Sequence, residues 1–231
     1  MVDEGGLDLL GAGKLAKAIP AKVWTQVVET ACVTFTSAIA PFTATTSGIG
    51  RLITAKFDRL VDAEKLLASE TMARAAEKVT KSRKVPNGTA KASVVIAAIE
   101  SSATETDSIL RELWANLLAQ EIVTGTVHPE FPRILSRLSS TDAQVLAQIA
   151  EREGSKSAEL KGAFKRFSAS ISILGGTLSI LDPDEEGSFT HEQLASLNLA
   201  KRRDGIWALT LTGKAFIQSV TDSWHADKAV S

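Results

Sequence analysis

Between Ile109 and Ile122 apolar side chains recur every third and fourth position, at Ile109, Leu110, Leu113, Trp114, Leu117, Leu118 and Ile122. A surface helix carries an apolar stripe on one side only. This run is apolar over a wider arc, so a helix formed by it has to be enclosed by other elements. The spacing predicts a helix ending near Thr124, stopped by Gly125 and capped at its start by Thr104 or Thr106. Glu112 and Glu121 flank the apolar face and read as solvated. The rest of the 231 residues must be arranged around this helix, and that length allows one large domain or two small ones.

The neighbouring segments supply partners for it. Lys91 to Glu100 reads as a helix with Val94, Val95, Ala98 and Ile99 inward. After His128-Pro129, Phe131 to Leu138 reads as a brief helix. Ser140 then caps another, whose inward residues are Val145, Leu146 and Ile149. Glu159 to Ile173 places Leu160, Phe164, Phe167, Ile171 and Leu174 on one side and Lys161, Lys165 and Arg166 near the other. Gly175-Gly176 ends that run, and Asp182 to Gly187 reads as an acidic exposed loop.

Toward the N-terminus the pattern is helical but less regular. Pro20 opens a run to about Ala40 that Pro41 breaks or kinks. From Thr30 to Gly50 no residue is charged. A spanning helix needs about 20 predominantly apolar residues, and this stretch is rich in Thr and Ser and contains Pro41. Buried or self-associating helices, an interfacial segment and a true span all remain open. Ile49 to Lys84 reads as amphipathic, with Leu52, Lys56, Leu60, Ala63 and Leu67 on one face. Its basic end, Lys78 to Lys84, suits the negative end of a helix dipole. Val85-Pro86-Asn87-Gly88 is a turn signal, which suggests a division into residues 1–86 and 91–223.

The C-terminal end changes character. A short helix from His191 to Leu197 is followed by an extended stretch from Asn198 to Arg202. Arg203-Asp204-Gly205 is a tight-turn signal, and Ile206 to Thr210 is strand-like. A last helix follows Leu209-Thr210 and Gly213, with Phe216, Ile217 and Val220 as its apolar side. Helix, hairpin and helix in that order resemble the end of a winged-helix domain. Lys201, Arg202 and Arg203 would then sit on the wing, where phosphate contacts are common. The helix before the hairpin holds Glu192 and no basic residue, so it suits major-groove reading poorly. The fold class expected is therefore mainly α: a helical N-terminal section, a helical central domain, and a winged-helix-like unit with a short β-hairpin.

Composition narrows the chemistry. The formal net charge is −1, so no global field draws the chain to nucleic acid or anionic lipid. Cys32 is the sole cysteine and Tyr is absent. Cys32 lies in an apolar run and reads as a buried thiol, and a reducing, cytoplasmic home is expected. His128, His191 and His225 stand in separate segments without partners at ligand spacing, so no metal site is expected. No phosphate-cradling glycine loop is present either. The residues give no reason to expect an enzyme or a cofactor.

Three blocks in order then carry a resemblance. The first is a helix containing Leu113-Trp114 and ending in the pair Leu117-Leu118. The second is His128-Pro129 with Phe131, and the third is Leu138-Ser139 followed by Asp142-Ala143 and Leu146. Together with Leu209-Thr210, Gly213 and Phe216-Ile217, this resembles the Abi-alpha family of bacterial abortive-infection proteins. Ile39-Ala40-Pro41 with Gly48 and Gly50 is loosely similar to the small apolar helices at that family's start. The resemblance implies a phage-defence accessory or effector, acting by protein contacts or membrane perturbation rather than catalysis. Peripheral membrane association and an unidentified protein partner are expected alongside it. A winged-helix regulator using Lys201 to Arg203 and a homo-oligomeric scaffold built on the Thr/Ser/Ala-rich helices are the alternatives. The family blocks themselves read first as core and loop.

Overall fold

The computed structural model describes residues 26, 29–35, 37, 46–82, 90–154, 158–175 and 188–221. Pro20, Pro41, the acidic stretch 182–187, the Pro86 turn signal, His225 and residues 36 and 38–45 of the uncharged run lie outside those residues. Residues 29–35 are helical. The elements that follow are α1 (Thr46–Phe57), α2 (Asp62–Lys81), α3 (Ala92–Ser102), α4 (Ser108–Thr124), α5 (Phe131–Leu135), α6 (Ser140–Gly154), α7 (Ala158–Gly175), α8 (Phe189–Ser196), β1 (Ala200–Arg203), β2 (Ile206–Leu209) and α9 (Leu211–Ser219). The protein is mainly helical, with one short antiparallel hairpin among the described residues.

Helix α4 is the axis of the core, as its apolar arc requires. Trp114, Leu117, Leu118 and Ile122 are fully buried, and Leu113 nearly so. Helices α2, α3, α5, α6, α7 and α9 all touch it. Its first turn is capped by Asp107, not by Thr104 or Thr106: Asp107 Oδ1 accepts from the backbone N–H of Ile109 at 2.8 Å and of Leu110 at 3.2 Å. A carboxylate also suits the positive end of the helix dipole better than a hydroxyl does. Gly125, in the left-handed conformation, ends the helix.

The amphipathic run expected from Ile49 to Lys84 is two helices. The chain turns at 58–61, and Glu64 accepts the Val61 N–H at 3.1 Å to start α2. The face is also displaced by one residue. Ile53 and Phe57 are buried in α1, whereas Leu52 is 46% exposed. Along α2 the buried stripe is Ala68, Met72, Ala75, Ala76 and Val79. These mostly small side chains let α2 approach α4 closely.

Charges seal that seam. Arg74 and Arg111 both reach Glu70 at 2.5 Å, and Lys78 reaches Glu112 at 2.6 Å. Lys78 is therefore a pairing residue between helices rather than part of a free basic tail. Residues up to Val79 and from Ala90 onward share one continuous hydrophobic cluster.

Helix α6 begins on a reciprocal cap at Ser139, one residue before the expected Ser140. Ser139 Oγ accepts from the Asp142 N–H at 3.1 Å, while Asp142 Oδ2 accepts from the Ser139 N–H at 2.8 Å. Two otherwise orphaned donors are satisfied at once. Val145, Leu146 and Ile149 face inward, and α7 packs along α6 with Phe164, Phe167 and Ile171 buried.

The hairpin forms as its turn chemistry dictates. Asp204 and Gly205 both take positive φ, 51° and 81°, which matches the twist of the two strands. Ala200 pairs with Leu209 and Arg203 with Ile206. Asn198 is not extended: it takes φ 55°, and the strand starts two residues later. The outer edge of β2 is covered by α6 side chains. Arg152 Nη2 donates to the Trp207 carbonyl at 2.5 Å, and Glu153 Oε1 accepts from the Leu209 N–H at 2.8 Å. An open strand edge is an invitation to wrong pairing, and these two residues close it.

Candidate functional site

The three sequence blocks do different jobs in the fold. Leu113, Trp114, Leu117 and Leu118 are interior packing. Leu138 and Asp142 are also buried, the latter in the α6 cap.

The His128 loop is different. His128 and Pro129 are exposed while Phe131 is 6% exposed. His128 Nδ1 accepts from the Glu130 N–H at 3.2 Å, and its carbonyl accepts from the Phe131 N–H at 2.9 Å. The imidazole thus holds the turn into α5, and its ring lies 5.6 Å from that of Phe131. Phe131 in turn meets Phe216 of α9 edge-on at 5.6 Å. Through that pair the His-Pro loop is docked on the C-terminal helix.

The start of α9 is fixed by a polar clasp. Thr210 Oγ1 accepts from the Gly213 N–H at 2.9 Å and donates to the Asn198 carbonyl. Asn198 Nδ2 donates to Thr212 Oγ1 at 3.0 Å. A Cβ on Gly213 would stand 2.0 Å from the Leu199 carbonyl oxygen, so only glycine lets α9 pass the α8–β1 turn.

Between these pieces lies a cleft of about 540 Å³. His128, Phe131, Arg133 and Arg137 form one wall, Ser196 to Asn198 a second, and Leu211 and Thr212 the third. Arg133 pairs with Glu130 at 2.6 Å. Arg137 is exposed, and its carbonyl accepts from Gln193 Nε2 at 3.1 Å. Leu211 is 86% exposed at the rim. Glu130 also lines the cleft and offsets Arg133, so Arg137 gives it a net positive charge and Leu211 an apolar lip.

Sequence reasoning missed the arginines here, because nothing in the sequence places Arg133 and Arg137 opposite Leu211. It also misread Glu121. That side chain is fully buried, not solvated. Its carboxylate accepts from the backbone N–H groups of Lys91 at 2.6 Å and Val127 at 3.0 Å, and from Lys91 Nζ at 3.2 Å. Burial pushes its carboxyl up from the usual range, against the pull of the Lys91 hydrogen bonds and charge. Glu121 ties the entry of α3 to the exit of α4. Cys32 is half-buried, and burial with nearby Asp58 pushes its thiol up to about 11, which leaves it protonated at neutral pH.

Lys201, Arg202 and Arg203 are exposed on β1, with Arg202 Nε donating to the Gly205 carbonyl at 3.3 Å. His191 is buried, 5.0 Å from the Trp207 ring and stacked on it. Among the described residues no group of three or more His, Cys, Asp or Glu could hold a metal ion. Among them, too, no helix is long and apolar enough to cross a membrane.

Taken together, the elements define a helical protein that ends in a small helix–hairpin–helix unit, with a basic cleft where that unit meets the His-Pro loop. The family model for abortive infection alpha matches residues 64–220, well over half of the chain, and the chain belongs to that family. No curated protein and no solved structure matches it. The match takes in α4, the His-Pro loop and the clasp at α9 alike.

Proposed function

We propose that this chain is a non-catalytic accessory or effector protein of abortive phage defence, acting through protein contact at the cleft. Membership of the family supports the association with defence. The observation that carries the contact reading is exposure: around the cleft, His128 and Pro129 of the His-Pro loop and Leu211 at the start of α9 stand in water. What supports contact is the concavity, since Leu211 and two arginines line one cleft instead of standing scattered over the surface. The titratable groups of the cleft are already engaged, His128 in a turn and Glu130 with Arg133, which favours binding over acid–base work.

The test is phage challenge of cells expressing the chain. The wild type is expected to lower plaque numbers across at least part of a phage panel. Leu211→Asp, on an exposed site at a helix start, should restore plaques at an equal protein level. Undiminished protection by Leu211→Asp would remove the cleft from the function, and no protection by the wild type would remove defence.

A nucleic-acid-binding regulator is the second reading, favoured by the exposure of Lys201, Arg202 and Arg203 on one strand. Filter binding at low salt, with loss on Arg203→Ala, would support it. The membrane route rests on the uncharged run at 30–50 alone, and liposome binding by the full chain tests it.

A further inference from the structure

Helix α8 carries Phe189, Glu192, Gln193 and Ser196 on one stripe, because residues three, four and seven apart share a helix face. Ser196 lines the cleft, and Gln193 holds the Arg137 carbonyl. The stripe therefore leads from Phe189 to the cleft. Phe189 is 78% exposed and Leu211, on the far lip, 86% exposed. Glu192, one turn along α8 from Phe189, is exposed, and Arg137 is exposed on the cleft wall. One surface thus bears an apolar knob with an acidic neighbour and a basic cleft with an apolar lip.

Those two halves complement each other, but within one chain Phe189 lies about 10 Å from Ser196 along the helix, at 1.5 Å per residue. A two-fold interface requires the same patch to present both a knob and the hole that accepts it. We propose that this surface pairs with a second copy of the chain. Phe189 of each copy enters the cleft of the other and covers Leu211, and Glu192 of each meets Arg137 of the other. An aromatic anchor in a pocket with a charged pair at its margin is the usual centre of such an interface. This inference rests on the reading of the cleft as a contact surface and names its partner.

Sedimentation equilibrium of the full chain over a range of concentrations tests it. The wild type should show the mass of two copies. Phe189→Ser should weaken the pair by about thirtyfold or more. Arg137→Glu and Glu192→Arg should each weaken it, and the double variant should recover most of the loss. All three sites are exposed, so each variant should keep its helical circular dichroism. A single-copy mass for the wild type at every concentration overturns the proposal, as does an unchanged mass for Phe189→Ser or no recovery in the double variant. Phage challenge separates this from the contact reading. A single-copy wild type that loses protection on Leu211→Asp overturns the second copy as partner and leaves the contact reading standing. A pair that Phe189→Ser breaks without loss of protection upholds the interface and overturns its use in defence.

Discussion

The surroundings of α4 and the cleft at α9 are built from the same family's sequence blocks and treat them in opposite ways. Around α4, Trp114, Leu117 and Leu118 are fully buried. The helix start is capped by Asp107, and the buried Glu121 has three donors. At the cleft, His128 and Pro129 stand in water, and Leu211 keeps 86% of its surface exposed. A shared motif therefore does not by itself mark a site. Deep burial in the hydrophobic cluster marks scaffold, and exposure of apolar and charged groups in one concavity marks a surface held ready for something else.

The sharpest way to break the comparison is in the scaffold. Trp114→Ala should cost about 3–5 kcal/mol of folding stability, read by chemical denaturation, because the indole has no solvent-facing side from which the cavity could be filled. A loss below about 0.5 kcal/mol, the usual range for surface sites, would mean the helix is not the core axis. Next comes Glu121→Gln. The amide keeps one acceptor but turns an N–H toward a backbone N–H, so a loss of about 1–3 kcal/mol is expected.

The same carboxyl gives a pH signature. Its folded pKa lies above the usual carboxylate value, so the folded state binds more protons than the unfolded chain between the two values. Stability contributed by this group therefore falls as pH rises from about 4.3 through the raised value, and is flat above it. The difference between wild type and Glu121→Gln should show that slope. A difference independent of pH over that window would contradict the burial assigned to Glu121.

Much of the scaffold was legible in the sequence, for reasons that differ by element. Helix α4 announces itself because seven apolar residues at helical spacing allow no other arrangement. The hairpin was legible because Asp204-Gly205 is a local signal with a fixed geometry, and the stop at Gly125 for a similar reason. Caps were harder: Thr104, Thr106 and Asp107 all qualify by type, and one residue of backbone path decides between them. The α1 face slipped because Leu52 and Ile53 are equally apolar, and only the packing of α3 selects Ile53. Glu121 was illegible because its partner Lys91 lies thirty residues away. The cleft was invisible for the same reason, since Arg137 and Leu211 meet through the docking of Phe131 on Phe216, which no spacing encodes.

The central claim is that the cleft carries the function and the Trp114 helix only holds it in place. Arg137→Glu tests this most directly, since the side chain is exposed and stability should change by no more than about 0.5 kcal/mol. Plaque counts on cells holding equal amounts of wild type and Arg137→Glu are the measurement. Plaques returning to the level of unprotected cells, with the melting temperature unchanged, is the predicted result. Full protection by Arg137→Glu would contradict the account and move the search for the site to another face of the molecule.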